Sequence, residues 1–387
     1  MTIYEVTHLH SGETYRRPRI LLNEHHKTSN SKMYDLDPAV EAFHRQLPWY
    51  GETKLHNLAT VAQELGFSHV FLKDESTRFG LPSFKILGAS WAVHRALCKH
   101  LGLPATTTLT DVKQVLATGQ HQVVRLVTCT EGNWGRAVSR MAKYYDVSAT
   151  IYVPGFMNEY SRDLIRGENA DVRVLDDSSY DDTIAAVQAD SAETGALMVM
   201  DTSWDGYEEV PAWVTEGYFT MVREAERQVA GQTNGKMPSL AIASVGVGSW
   251  AHAVVAHYKA VDPNNHIVTV EPTVAASFKE SLHCGEIAPI LTGDTIMNGM
   301  NCGTTSKIVW PDMRDGTFAA VTVDDVESHR CVQELHAHGI DAGPCGAATL
   351  AALKKLAAEK VLSAEERKDM VVVLFSTEGW REYRIPG

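Results

Sequence analysis

Short apolar runs alternate with longer stretches of helical periodicity from about residue 69 onward. His69–Lys73 (HVFLK), Val123–Cys129 (VVRLVTC), Thr150–Val153, Val172–Leu175, Leu197–Met200 (LMVM), Leu240–Val245 (LAIASV), Ile267–Val270 and Val371–Phe375 read as strands. Ser83–Leu101, Asn133–Asp146, Asn158–Asn169 and Tyr180–Glu193 read as helices, with Ser83 as an N-cap after Pro82. The strand-like runs are apolar throughout, so both of their faces are buried. That pattern belongs to parallel sheets covered by helices, and it predicts an α/β fold with open parallel sheets. The most regular alternation lies in 88–205. It predicts a small α/β domain inserted into a large one built from 1–87 and 206–387. Residues 1–50 show little periodicity, and the GAATLAALKKLAAE stretch (346–359) reads as an amphipathic helix with Lys354 and Lys355 on its solvent face.

Composition narrows the partners. The 387 residues are 44% hydrophobic and 21% charged, which excludes a disordered chain. Charge sums to 35 − 48 = −13, which argues against nucleic acid and anionic membrane surfaces as partners. One phosphate in a pocket of amide dipoles stays compatible with that field. The six cysteines form no CxxC pair, so free thiols in a reducing, cytoplasmic setting are expected. No apolar h-region follows Met1, and no run of about 18 apolar residues predicts a membrane span. There are seventeen histidines but no HExxH, and the His8/His10 and His336/His338 pairs lack neighbouring cysteine or acidic ligands, so no metal is expected. Surface or capping roles are expected for the histidines.

Four segments carry candidate chemistry. Lys85 stands near a helix start among Phe84, Ile86 and Leu87, either as an ordinary solvated lysine or as a buried one that desolvation and the helix dipole make a neutral, nucleophilic amine. TCTEGNWG (128–135) joins a strand to a helix, either as an anion-binding turn with Asn133 facing a ligand or as an ordinary capped turn. SVGVGS (244–249) makes a similar junction and suits either a phosphate or close helix–strand packing. Ser376 ends the VVVLF strand, where open α/β sheets bind ligands. Trp204, Tyr207 and Trp213 line a pocket or fill the core.

Together, and in this order, these segments resemble the fold-type II pyridoxal 5′-phosphate enzymes, the group of the tryptophan synthase β chain. Within that group the chain is most similar to the diaminopropionate ammonia-lyases. The likeness runs from about residue 50 to 380 and is carried by KDESTRFGLPSFKILGAS (73–90), TEGNWGRAV (130–138), SYDDT (179–183), MDTSWDGYEEVPAW (200–213), GDTIMNGMNCG (293–303) and FSTEG (375–379). The resemblance implies that Lys85 carries the cofactor and that Asn133 lies beside its phenolic oxygen. It further implies that Gly246, Val247, Gly248 and Ser249 hold the phosphate and that Ser376 faces the pyridine nitrogen. Asp201 would be a second base, with Thr130 and Tyr180 on the substrate side. The same resemblance implies a homodimer, and it makes Cys284 and Cys302 a pair that relatives can join as a disulfide.

Two departures bear on chemistry. Glu131-Gly132-Asn133-Trp134-Gly135 stands where the family has Asp-Gly-Asn-His-Gly, and Gly343-Pro344-Cys345-Gly346 replaces Gly-Glu-Ser-Gly. Glu131 thus takes the place of an acid–base aspartate, with its carboxylate moved by about an ångström, a shift of the size that costs about a hundredfold in rate. The implied reaction is α,β-elimination of 2,3-diaminopropionate or a related β-substituted amino acid to a keto acid and ammonia. Glu131 and Asp201 are the candidate proton donors. β-Replacement, serine/threonine-type dehydration and an inactive homologue with a binding role are the alternatives.

Overall fold

A computed structural model describes residues 2–27, 38–119, 123–130, 132–177 and 180–387. Its strands are β1 (Ile3–Thr7), β2 (Thr14–Pro18), β3 (Ile20–Leu22), β4 (Leu55–Asn57), β5 (His69–Asp74), β6 (Arg125–Cys129) and β7 (Ser148–Pro154). They continue with β8 (Asp171–Leu175), β9 (Leu197–Met198), β10 (Leu240–Ser244), β11 (His266–Pro272), β12 (Ala319–Val323) and β13 (Val371–Ser376). The chain divides into two compact units. One comprises the described residues within 1–36, 52–84 and 221–387, the other those within 37–51 and 85–220.

The first unit is built on a seven-stranded sheet of order β3-β12-β11-β10-β13-β5-β4. The five central strands run parallel, while β3 and β4 add antiparallel edges. β10 and β13 are buried at every position, as expected for strands covered on both faces. The Pro344–Ala358 helix is buried along most of its length against this sheet. Lys355 is not on a solvent face as its spacing predicted. Its side chain is 9% exposed and its Nζ bonds Thr322 O and Glu327, so its charge is paired inside the unit. β1 and β2 form a separate antiparallel hairpin in the N-terminal region that showed little periodicity.

The second unit carries the parallel four-stranded sheet β8-β7-β6-β9. Its helix Lys85–Leu101 starts two residues later than expected. Ser83 lies two residues before it and forms a bridge to Glu378, and Phe84 N donates to Thr377 O. Gly88 has a packing role: a Cβ there would lie 2.6 Å from Tyr218 Cζ, so glycine lets the Lys85–Leu101 and Glu209–Gln232 helices meet closely. His44 and His94 are buried rather than superficial. His94 bonds Tyr145 Oη and Ala105 O and stacks on Phe43, and burial pushes its imidazole down to about 4.

Candidate active site

In the second unit, Lys85 is the first residue of its helix, and its Nζ donates to Asp201 Oδ2 at 2.6 Å. The side chains are 19% and 6% exposed, so the pair is largely shielded from water. The carboxylate offsets the poor placement of a cation at a helix N-terminus. Asp201 follows β9, and Tyr207 fixes the approach. Its hydroxyl donates to Met198 O (2.8 Å) and accepts from Met200 N (3.1 Å), while its ring stacks on Trp204. Burial holds the Tyr207 phenol above its usual range. Trp213 is buried with Arg95 over its ring, which is core packing.

The turn after β6 also approaches Lys85. Trp134 places its ring centroid 5.7 Å from Lys85 Nζ, and its Nε1 donates to Thr128 Oγ1 (3.0 Å) and Val199 O (3.3 Å). Asn133 opens the helix Asn133–Tyr145. Thr130 is buried; its N donates to Tyr152 O, and its Oγ1 accepts from Gly132 N at 2.9 Å. A Cβ at Gly135 would overlap the Thr130 methyl, so glycine there makes room for it. Glu131 lies outside the described residues. Tyr180 opens the helix Tyr180–Thr194, and its side chain likewise lies outside what is described. An amine in contact with a carboxylate can pass a proton, and that is the chemistry this pair offers.

In the first unit, the Gly246–Ser249 loop leaves β10 and enters the helix Ser249–Val261. Val245 N donates to Val270 O and Ser306 N to Val247 O, which pins both sides of the turn. Gly248 has φ +104°, left-handed backbone that other residues resist, and a Cβ there would lie 2.9 Å from Val309 Cγ2. A Cβ on Gly246 would sit 2.9 Å from Gly299 O and 3.2 Å from Cys302 Sγ. A glycine-bearing turn at the start of a 13-residue helix has the positive dipole end that suits an anion. Ser376 is buried at the end of β13, and Gly346 leaves room for its hydroxyl, because a Cβ there would overlap Oγ. All six cysteines are free thiols, Cys284 and Cys302 included.

Lys85, Asp201, Thr130 and Asn133 therefore belong to one unit, and Gly246–Ser249 and Ser376 to the other. Sequence reasoning missed Tyr207 and Trp134 as supports of the Lys85–Asp201 pair, and Cys302 and Gly346 as neighbours of the loop and of Ser376. Their signal was tertiary, except that Trp134 stood out as a departure from the family motif.

Comparison with known proteins places these residues in context. Residues 47–377 match the family described as pyridoxal-phosphate dependent enzyme. A diaminopropionate ammonia-lyase of Salmonella typhimurium is 36% identical over 74% of this chain and 72% of its own. That of Escherichia coli K12 is 31% identical over 87% and 86%. The crystal structure of Escherichia coli diaminopropionate ammonia lyase in complex with D-serine superposes with a TM-score of 0.85 at 27% identity, covering 98% of this chain and 95% of that one. The residues fit such a cofactor, with an amine at Lys85, a glycine cradle that a Cβ would fill at Gly246, and a buried hydroxyl at Ser376. By sequence match and by structure, the chain belongs to the pyridoxal-phosphate dependent enzymes, in their fold-type II group.

Proposed function

We propose that this protein is an ammonia-lyase that eliminates ammonia from 2,3-diaminopropionate or a closely related β-substituted amino acid. With diaminopropionate the balance is one substrate and one water giving pyruvate and two ammonia. Bound pyridoxal phosphate supplies the electron sink that stabilises charge at the substrate Cα. The observation that carries the proposal is the 2.6 Å contact of Lys85 Nζ with Asp201 Oδ2, in a chain related to named diaminopropionate ammonia-lyases.

Lys85 would hold the cofactor aldehyde and, once released, take the Cα proton. Asp201, hydrogen-bonded to that amine, would accept a proton from it or hand one to the departing amine, which must leave protonated. Trp134 and Tyr207 would keep water out and hold the carboxylate in line. Glu131 is the second proposed proton donor, Asn133, Thr130 and Tyr180 would face cofactor or substrate, and Gly246–Ser249 would bind the phosphate. Ser376 would offer the ring nitrogen a neutral hydroxyl, a partner that would favour elimination over amino transfer. A homodimer, on family likeness alone, and a cytoplasmic setting, on the cysteine usage, complete the reading.

Product identification after incubation with 2,3-diaminopropionate, serine and threonine tests the substrate. Pyruvate and ammonia from diaminopropionate are expected, and ammonia from serine with none from diaminopropionate would make the chain a dehydratase. That second reading has support in the D-serine bound to the solved relative. Asp201→Asn should lower elimination by about 10²–10⁴-fold while the cofactor stays bound, and undiminished turnover would remove Asp201 from proton transfer. Gly246→Ala, forced against the Gly299 carbonyl, should cost about 1–3 kcal/mol of loop strain. Equilibrium dialysis should read this as weaker retention of pyridoxal phosphate, with the fold intact by circular dichroism.

A further inference from the structure

The N-terminal hairpin meets the helix Ser277–Cys284 through a cluster that the proposed reaction does not use. Glu280 is central to it, with no exposure of its side chain, and its Oε1 lies 2.8 Å from His8 Nε2 and 3.7 Å from Cys284 Sγ. Glu280 and Cys284 are four residues apart on one helix, so they share a face. His8 comes from just beyond β1, where its backbone is fixed by bonds to Glu13 and Gly12 and by a bridge to Ile290. The three ligand atoms all lie within 4.8 Å of one another.

We propose that His8, Glu280 and Cys284 form a binding site for a thiophilic divalent cation of the zinc class, separate from the catalytic machinery. The donor set is one imidazole, one carboxylate and one thiolate, each an ordinary zinc ligand. With metal–ligand bonds of about 2.0–2.3 Å, a tetrahedron has edges of about 3.3–3.6 Å. The sulfur–oxygen separation is already at that spacing, and the nitrogen–oxygen pair has to open by about half an ångström. Cys284 is exposed, which gives the ion a way in and leaves a fourth position for water.

Arg17 is the surrounding support. Its Nε donates to Glu280 Oε2 at 2.9 Å and its Nη2 to Oε1 at 2.7 Å, which orients the carboxylate. When Oε1 turns to the metal, the Nε–Oε2 bond can stay. The guanidinium repels a cation, so the thiolate is needed to restore a net negative donor set. Burial and the neighbouring Glu280 keep the thiol above its usual range, so binding must release its proton. This corrects the expectation that His8 has no acidic or cysteine partner. Its partners lie 272 or more positions along the chain, beyond any local spacing rule.

Cobalt(II) titration of the reduced, tag-free holoenzyme tests the site. One equivalent per chain should produce a thiolate-to-cobalt charge-transfer band, displaced by zinc. Cys284→Ser should abolish the band and His8→Ala should weaken binding by about tenfold or more. Zinc should also slow alkylation of Cys284 by about tenfold or more, read on the Cys284 peptide by mass spectrometry. Elimination by Cys284→Ser should be unchanged, so the result does not depend on the catalytic proposal. A band that persists in Cys284→Ser, or alkylation at Cys284 indifferent to zinc, would overturn the site and leave a salt-bridged hairpin clasp.

Discussion

Lys85→Ala should fold, lose the visible absorbance of bound cofactor, and lose about four orders of magnitude in turnover. The size follows from the role: no other amine among the described residues is hydrogen-bonded to Asp201. The alanine variant also leaves a carboxylate that is 6% exposed without its cation, a loss of about 1–3 kcal/mol in stability. Lys85→Arg separates the two effects. A guanidinium keeps the charge pair with Asp201, so stability should return, but it cannot link to an aldehyde, so turnover should not. Borohydride reduction of the wild type followed by peptide mapping should put the adduct on Lys85. An adduct on another lysine, or arginine and alanine variants equally unstable and equally active, would end the assignment.

Much of this was legible along the chain, for a physical reason. β10 and β13 are buried on both faces, so composition alone marks them, and the glycine- or hydroxyl-bearing turns that follow them stand where α/β sheets present ligands. β3 and β4 were not legible. Each is three residues long, too short for any period, and pairs antiparallel on a sheet edge. β12 begins on two alanines, which carry little strand preference. Lys355 misled because a charge at helical spacing suggests solvent, while here tertiary partners satisfy it. Lys85 was visible as an odd lysine near a helix start. That Tyr207 aims its carboxylate partner through backbone bonds at Met198 and Met200 is a matter of packing that no spacing encodes.

Arg78→Met should cost about 3–5 kcal/mol of stability, because it strands charge in a dry interior. Lys73, Glu75, Arg78 and Glu224 have no side-chain exposure, and their two cations and two carboxylates sum to zero. Arg78 grips Glu75 through Nε and Nη2 at 2.7 Å each, and Glu224 through Nη1 at 2.9 Å and Nη2 at 2.7 Å. Lys73 Nζ completes the set with Glu224 Oε2 at 3.0 Å. Burial alone would raise the Glu224 carboxyl, but Arg78 and then Lys73 hold it below its usual range. A carboxyl lowered in the folded state stabilises it above the unfolded value of about 4.3, and that contribution fades as pH falls through the folded value. Methionine removes the main cause, so the deficit should be greatest near neutral pH and shrink toward about pH 4 in urea titrations. Arg78→Lys keeps a charge but loses the fork that serves two carboxylates, so its midpoint should fall between the two. Arg78 also opens the turn in which Phe79 takes φ 49°, left-handed backbone for a bulky residue, six positions before Lys85. The network holds that strained turn, so any folded Arg78→Met should also retain less cofactor. A midpoint equal to wild type at neutral pH would show that water reaches these charges and that the network is not the anchor of the Lys85 turn.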